Sequence, residues 1–577
     1  MSKTNDTFSP LSAKHIVPGN HAESDYFALI RDLLAERKTC TVGDPGYVSI
    51  QREIDKVYAL IKDEIITNRS NPIREVSFGT SGWRGIIGKD ITCRSIAQVT
   101  LAIIALYQEL SSSSELTDPL GVQTLEEARR RGCVVGYDNR FGGDFFAQSV
   151  IDVLTSNGFT VHFAGESTTG ALSAAMLDLH AAFSVNLTPS HNPLDYAGYK
   201  YNAADAGPAS SILTTRITEN ARRLISEGNE ISLNPDKSLV KPFSALDSWK
   251  NLVRKGCSSH GIDYDAIVKE FIATEDIVVA VDSVHGASRV HIRSLFNDQE
   301  TDRLIHIRSH SDPTFGGIAP EPSAANMVMV KQTLAMRKEP LKLGVIIDPD
   351  ADRIRFTDGA NEISMNEFGA MCYHYLHEVK KKKGMVAKTV ATSNFANALA
   401  SSFGEEVFEP RVGFKEFKPV INKALVYFEE SDGISMTGHT PEKDAYIGLF
   451  AAMDMVMHLK KNLGEYLVDL KEAYGSYFPD RDGVVVSQQG DELKETLAIL
   501  QKYDEGSSIL IGGIDKKIKK VIAIDGRKMI LEDDSWIMIR PSGTEPKVRF
   551  YVEARTEEGK NTLFDAAKAM LAEIGLI

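Results

Sequence analysis

Between about Val76 and residue 478, short apolar runs such as Cys133-Val134-Val135-Gly136 and Ile277-Val278-Val279-Ala280-Val281 alternate with longer stretches of helical character. Runs this short fit buried strands, so the alternation predicts an α/β fold. It recurs about three times, through Ser190, Asp348 and Glu430, with no short period of the kind that builds a solenoid. The last hundred or so residues read differently. There Trp536-Ile537-Met538-Ile539 and Val548-Arg549-Phe550-Tyr551-Val552 flank a turn and precede a helix from about Thr556, the pattern of a smaller α+β domain. At the other end, a polar tail precedes Ile50, Ile54, Val57, Ile61 and Ile65, which recur at helical spacing. With 577 residues and 43% hydrophobic content the chain can bury several cores. The expected organisation is a helical extension over 1–74, then α/β units over 75–240, 241–355 and 356–478, and a smaller domain over 479–577.

Charge and composition narrow the partners. A formal net charge of −14 argues against broad nucleic-acid binding, because phosphate backbones need a basic face to replace their counterions. The apolar runs are too short to span a bilayer, and the N-terminus lacks a basic segment followed by an apolar one, so a soluble cytoplasmic protein is expected. Cys40, Cys93, Cys133, Cys257 and Cys372 lie far apart, as reduced thiols rather than as a metal or disulfide framework. An anionic ligand must therefore meet positive charge that is concentrated locally.

Three segments carry chemistry. Asp348-Pro349-Asp350-Ala351-Asp352-Arg353 follows the apolar run Leu343-Gly344-Val345-Ile346-Ile347, which reads as a buried strand emptying carboxylates at its C-terminal end. Two carboxylates about 4 Å apart repel by about 4 kcal/mol at an effective dielectric of 20, so three converging there require a cation. Hard oxygen ligands suit Mg²⁺. A calcium-binding helix–loop–helix would need Gly and Glu where Arg353 and Gly359 stand, and an aspartyl phosphotransferase of the DxDx[T/V] type would need Thr or Val at Asp352. In the second segment, the strand-like Ala181–Leu187 runs into Thr188-Pro189-Ser190-His191-Asn192-Pro193, where two prolines stiffen a turn that can fix Ser190. His191 and Lys200 can handle its proton or balance phosphate charge, although such a turn can equally cap a helix. In the third, Arg540-Pro541-Ser542-Gly543-Thr544-Glu545-Pro546 offers a planar guanidinium, hydroxyls and approachable amides for phosphate, with Lys547 and Arg549 adding charge.

These segments together resemble the α-D-phosphohexomutase superfamily. Its phosphoserine loop, Thr-x-Ser-His-Asn-Pro followed by a glycine and a lysine, is matched through Gly198 and Lys200. Phe78 to Gly85 is similar to its N-terminal loop, Asp348 to Arg353 to its metal loop, and Arg540 to Pro546 to its phosphate loop. Arg411 to Lys415 and Glu429-Glu430-Ser431 are similar to its sugar-recognition segments, and Gly136 to Arg140 and Asp312 to Gly317 are smaller matches. The resemblance spans roughly residues 75 to 577. It implies three consecutive α/β/α domains with mixed sheets and a smaller C-terminal α+β domain.

The resemblance also implies roles. Ser190 would carry the phosphoryl group, with Asp348, Asp350, Asp352 and a phosphate oxygen on Ser190 holding Mg²⁺. Lys200 would act as general base and acid, with a pKa lowered by neighbouring cations, and His191 is the other candidate for moving the proton. Arg84 and Arg353 would steady the phosphate. Glu429 and Ser431 would hold sugar hydroxyls, with Lys443 and His439 as further contacts, while Arg540, Ser542, Gly543, Thr544 and Arg549 would anchor the unreactive phosphate. Phe428 replaces the first glycine of the usual Gly-Glu-Glu-Ser-Gly-Gly, Asp432 its fifth residue, and Lys443-Asp444-Ala445 stands for Lys-Asp-Gly, which leaves the sugar open. The expected activity is a phosphoglucomutase with Mg²⁺ and a hexose 1,6-bisphosphate activator, acting on a phosphosugar as a monomer or homodimer. Mannose, glucosamine and pentose phosphates are alternative substrates, and a phosphatase or a non-catalytic sugar-phosphate-binding protein are alternative functions.

Overall fold

The computed structural model describes residues 10–79, 82–543 and 547–577. Four sheets follow one another along the chain. The first orders the strands Trp83–Ile86, Tyr196–Ala203, Phe183–Leu187, Cys133–Tyr137, Val161–Glu166 and Val240–Pro242, and the second Glu362–Ile363, Ile354–Thr357, Leu341–Ile347, Ile277–Asp282 and Leu304–Ile307. The third has Val407–Phe408, Val386–Lys388, Val426–Glu429 and Gly433–Met436. All three are mixed, and they repeat one device: a buried strand in parallel pairing enters a short loop and returns as an antiparallel neighbour. Loops 188–195, 348–353 and 430–432 each sit at such a reversal. The side chains that sequence reasoning singled out therefore project from equivalent ends of three sheets, where open α/β sheets place their ligands.

The fourth sheet is antiparallel throughout, running from Phe478–Val485 across to Ser508–Ile511, with the helix Glu557–Glu573 packed on it. Thr556 caps that helix by accepting from the Gly559 amide. Among the described residues no helix is long and apolar enough to cross a membrane, and none of the five cysteines is in a disulfide.

Several boundaries differ from the sequence reading. Divisions after residues 240 and 355 fall inside strands, because Val240–Pro242 still belongs to the first sheet and Ile354–Thr357 to the second, which runs on to Ile363. Hydrophobic runs mark strands well but do not show which sheet an edge strand joins. The tail is also more ordered than its polarity suggested: Pro10–His15 is a helix, and Ser12 and Ile16 are buried. The helices Tyr26–Arg37 and Pro45–Thr67 present Leu29, Ile30, Leu33, Ile54, Ile61 and Ile65 to the core that contains Ile103, Phe146 and Val185. The extension is thus part of the first unit's core rather than a separate domain. It also reaches the loops around the centre, since Arg31 pairs with Asp195 at 3.5 Å and Lys38 donates to the Gly317 carbonyl at 3.1 Å.

The fourth unit is pinned to the third by buried charge. Glu409 lies 3.2 Å from both Lys388 Nζ and Lys528 Nζ, whose side chains are fully buried, and Lys528 Nζ sits 4.1 Å from the centre of the Trp536 ring. Burial opposes the Glu409 charge, but the two ammonium groups overcome it and pull its pKa down to about 2. Burial and Lys388 push Lys528 down to about 8. The stabilisation carried by the lowered Glu409 carboxylate is present above its unfolded pKa and is lost as pH falls towards the folded one, while the lowered Lys528 ammonium opposes it. Glu409→Gln removes the carboxylate that the two buried ammoniums share and is expected to destabilise the chain by roughly 3–5 kcal/mol at neutral pH. Denaturant unfolding checks this, and an unchanged midpoint would contradict the pairing.

Candidate active site

Ser190 is buried and held in the left-handed region at φ 59°, which costs a non-glycine residue energy unless its surroundings enforce it. They do. The Ser190 amide donates to Thr188 Oγ1 at 2.9 Å, and that hydroxyl donates to Asp138 Oδ2 at 2.6 Å. Arg140, itself buried, donates to the carbonyls of Ser190 (2.8 Å), Pro193 (2.5 Å) and Asn192. Burial pushes Asp138 up to about 6, against the pull of Arg140 and Thr188. The next strand can pack this closely because residue 198 is glycine: a Cβ there would lie 2.3 Å from the Thr188 carbonyl oxygen.

So fixed, Ser190 Oγ donates to Asp348 Oδ2 at 2.9 Å, bringing the serine loop onto the acidic loop of the second sheet. Asp348, Asp350 and Asp352 are all buried, and their carboxylate oxygens lie within 4.8 Å of one another. Asp350 Oδ1 and Asp352 Oδ1 have no hydrogen-bond partner, which is costly in so buried a place. Burial and the two neighbouring carboxylates raise the Asp348 pKa well above the usual range. Asp352 goes the other way: Lys200, Lys443 and Arg353 outweigh its burial and hold it well below. Three buried carboxylates, with two oxygens lacking donors, fit a small hard dication.

Lys200 corrects one expectation. It lies across the ladder from Asn186, and its Nζ reaches Asp350 Oδ2 at 2.5 Å and Asp352 Oδ2 at 2.8 Å. Burial disfavours its charge, yet the carboxylates of Asp350, Asp352 and Glu442 win and raise its pKa. Neighbouring cations do not lower it, because its nearest partners are anions; Lys200 is a charged counter-ion to the triplet. His191 is the group whose pKa falls, well below its ordinary value, through burial and then the guanidiniums of Arg353 and Arg84. It stays neutral, 3.4 Å from Ser190 Oγ. Arg84 donates to Asn192 Oδ1 at 2.7 Å, and Arg353 lies 3.7 Å from Asp352.

The third sheet joins this centre through Lys443, whose Nζ is 3.3 Å from Asp352 and 3.6 Å from Glu429. Ser431 Oγ donates to Glu429 Oε1 at 2.8 Å, so the two are oriented together. The departures in this loop are compensated locally. Asp432 adopts the positive φ (73°) that glycine favours and pairs with Arg355 at 2.9 Å. Phe428 packs on Gly369, where a Cβ would lie 2.2 Å from its ring. His439 is not a solvated loop residue: it is buried, its Nε2 2.6 Å from Asp444 Oδ2 and its ring edge-on to Trp249.

The C-terminal loop is partly described. Arg540 Nε lies 3.1 Å from Asp525, the Ser542 amide donates to the Lys547 carbonyl at 2.8 Å, and Gly543 is exposed. Thr544 lies outside the described residues. Arg540 and Arg549 are cross-strand partners, and Arg549, Lys547 and Arg481 line a cleft on this sheet. Arg481, absent from the sequence reading, reaches within 3.7 Å of Glu430 and so connects this cleft to the sugar-type loop. No motif marks it. Asp138 and Arg140 were only part of a short match; their tie to Ser190 spans fifty residues and appears only in the fold.

Comparison with known proteins agrees with this geometry. Four segments match, in order, the α/β/α domains I, II and III and the C-terminal domain of phosphoglucomutase/phosphomannomutase, over residues 75–227, 262–361, 364–474 and 487–569. A phosphoglucomutase/phosphomannomutase from Thermococcus kodakarensis is 26% identical over 509 residues, covering 86% of this chain and 98% of that protein. A phosphoglucosamine/phosphogalactosamine mutase from Sulfurisphaera tokodaii is 24% identical over 86% of this chain and 98% of its own length. In fold, the chain resembles the crystal structure of a phosphomannomutase from Thermus thermophilus with a TM-score of 0.69 at 23% identity, covering 86% of this chain and 99% of that one. The chain belongs to the phosphoglucomutase/phosphomannomutase family, the α-D-phosphohexomutases, and is a phosphosugar mutase.

Proposed function

We propose that this protein is a phosphoglucomutase, interconverting glucose 1-phosphate and glucose 6-phosphate through a phosphoserine at Ser190. The observation that carries the reading is Ser190 Oγ within 2.9 Å of a buried aspartate triplet, on a backbone locked from behind by Thr188, Asp138 and Arg140. In the forward half-reaction a sugar hydroxyl attacks the phosphorus of phosphorylated Ser190 and the Oγ–P bond breaks, with the sugar hydroxyl's proton ending on the released Ser190 Oγ, to give a hexose 1,6-bisphosphate. The bisphosphate turns end for end, and the serine hydroxyl takes back the other phosphoryl group. Asp348, Asp350 and Asp352 would hold Mg²⁺, which draws charge from the transferring group when bound.

The chain's own residues frame that transfer. Arg84 and Arg353 sit where two guanidiniums can receive phosphate oxygens, and burial, reinforced by their field, keeps His191 neutral. Lys200 holds its proton firmly between two carboxylates, which suits a fixed positive charge that balances the triplet rather than a proton donor. Glu429, Ser431 and Lys443 present an acceptor, a hydroxyl and a donor to adjacent sugar hydroxyls, while Arg481, Arg540, Lys547 and Arg549 supply charge for the distal phosphate. The Glu-Glu-Ser run and the Gly207-Pro208-Ala209 segment favour glucose. Turnover of the 1-phosphates of glucose, mannose, glucosamine and ribose, primed with trace glucose 1,6-bisphosphate, tests the assignment. The highest kcat/KM is expected for glucose 1-phosphate, and a higher value for mannose 1-phosphate would reassign the sugar.

A further inference from the structure

Besides the aspartate triplet, His285, His310 and Asp312 present metal-ligating atoms that all lie within 4.8 Å of one another. They join two parallel neighbours of the second sheet, since His285 follows the strand Ile277–Asp282 and the other two follow Leu304–Ile307. His285 is buried, and its Nδ1 donates to the His310 carbonyl at 3.0 Å. A carbonyl only accepts, so this contact puts the ring proton on Nδ1 and leaves the Nε2 lone pair available, the orientation in which histidines usually bind metals. Burial also lowers the His285 pKa and keeps the ring neutral. The His310 ring stands edge-on at 4.5 Å between centroids. Asp312 is held in place by the Thr314 amide (2.8 Å) and hydroxyl (2.6 Å) on Oδ1 and by the Gly316 amide (3.1 Å) on Oδ2, which leaves acceptor capacity on the carboxylate. Arg308 is engaged with Asp282 at 2.8 and 3.0 Å, so its charge is neutralised nearby.

We propose that His285, His310 and Asp312 form a second divalent-metal site, selective for a transition ion such as Zn²⁺. Two imidazoles and one carboxylate suit zinc, iron, cobalt or nickel, whereas the all-oxygen triplet suits magnesium, so ligand chemistry separates the two sites. His310 is exposed and Asp312 partly so, which leaves a coordination position open to water. An ion there would fasten the turn after Asp282 to the 310–317 loop directly behind the reaction centre. Ala287 donates its amide to the Pro349 carbonyl at 2.7 Å in the acidic loop, and Phe315 covers the guanidinium of Arg140 at 4.9 Å, the residue that holds the Ser190 carbonyl. The ion's role is to stiffen this support, not to take part in transfer.

Calorimetric titration of Zn²⁺ into the full-length chain, with Mg²⁺ saturating, tests the site. One Zn²⁺ per chain is expected to bind and to raise the unfolding temperature, and Co²⁺ in its place should give visible absorption bands of a nitrogen-ligated ion. His310→Ala, an exposed position, should weaken Zn²⁺ by at least about tenfold while mutase turnover in zinc-free buffer is retained. Asp350→Asn should leave Zn²⁺ uptake intact. No uptake by the unaltered chain, equal uptake by His310→Ala, or loss of uptake in Asp350→Asn alone would each overturn the proposal.

Discussion

Replacing Ser190 with alanine is expected to lower mutase turnover by at least about 10⁴-fold, the scale seen when a covalent nucleophile is removed, while sugar-phosphate binding changes little. The separation follows from how the loop is built. Everything that shapes the backbone at position 190, namely Thr188 under its amide, Arg140 on its carbonyl and Asp138 behind both, acts without the Ser190 hydroxyl. Alanine therefore removes the acceptor of the phosphoryl group without collapsing the turn, and its side chain tolerates the positive φ about as well as serine does. Steady-state turnover together with calorimetric binding of glucose 6-phosphate checks both halves. Substantial remaining turnover would reject Ser190 as the phosphoryl carrier.

Asp350→Asn is expected to cost at least about 100-fold in Mg²⁺-supported turnover, since metal stabilisation of a transferring phosphoryl group is worth several kcal/mol. Asp350 Oδ2 already accepts from Thr169 Oγ1 at 2.8 Å and Lys200 at 2.5 Å, and its Oδ1 is buried without a partner. An amide is nearly the same size but carries no charge, and it directs hydrogens where a cation needs lone pairs. It also removes half of the carboxylate pair that holds Lys200. The Mg²⁺ dependence of activity should shift to higher concentration, and an unaltered titration would count against the triplet as the metal site.

Much of this was legible in the sequence because the relevant signals are local. A strand that ends in Asp348-Pro349-Asp350-Ala351-Asp352 announces both its burial and its load, and Ser190 between two prolines announces a fixed turn. What sequence reasoning missed depends on distance along the chain. Lys200 was expected to have a pKa lowered by neighbouring cations because the family resemblance assigns its position to general-base and acid work. The antiparallel return places it instead on two aspartates about 150 residues away, whose charge reverses the sign of the shift. Arg140, Asp138 and Arg481 carry no strong motif because their partners, a carbonyl, a hydroxyl and a carboxylate respectively, are contributed by other segments. His439 looked like a loop histidine, and only the packing of Trp249 and Asp444 shows it to be interior. The helical periodicity over residues 50–65 was readable, but periodicity gives a buried face without naming its neighbour, so the shared core of the extension and the first sheet could not be foreseen.

The most direct test of the mechanism is to cycle the enzyme with glucose 1,6-bisphosphate carrying labelled phosphorus, quench, and map the label by peptide sequencing. The label is expected on the peptide containing Thr188 to Asn192, at Ser190, and it should be chased off by unlabelled glucose 1-phosphate at the rate of turnover. Turnover with no label on that peptide, or a label that chases far more slowly than the enzyme cycles, would contradict it.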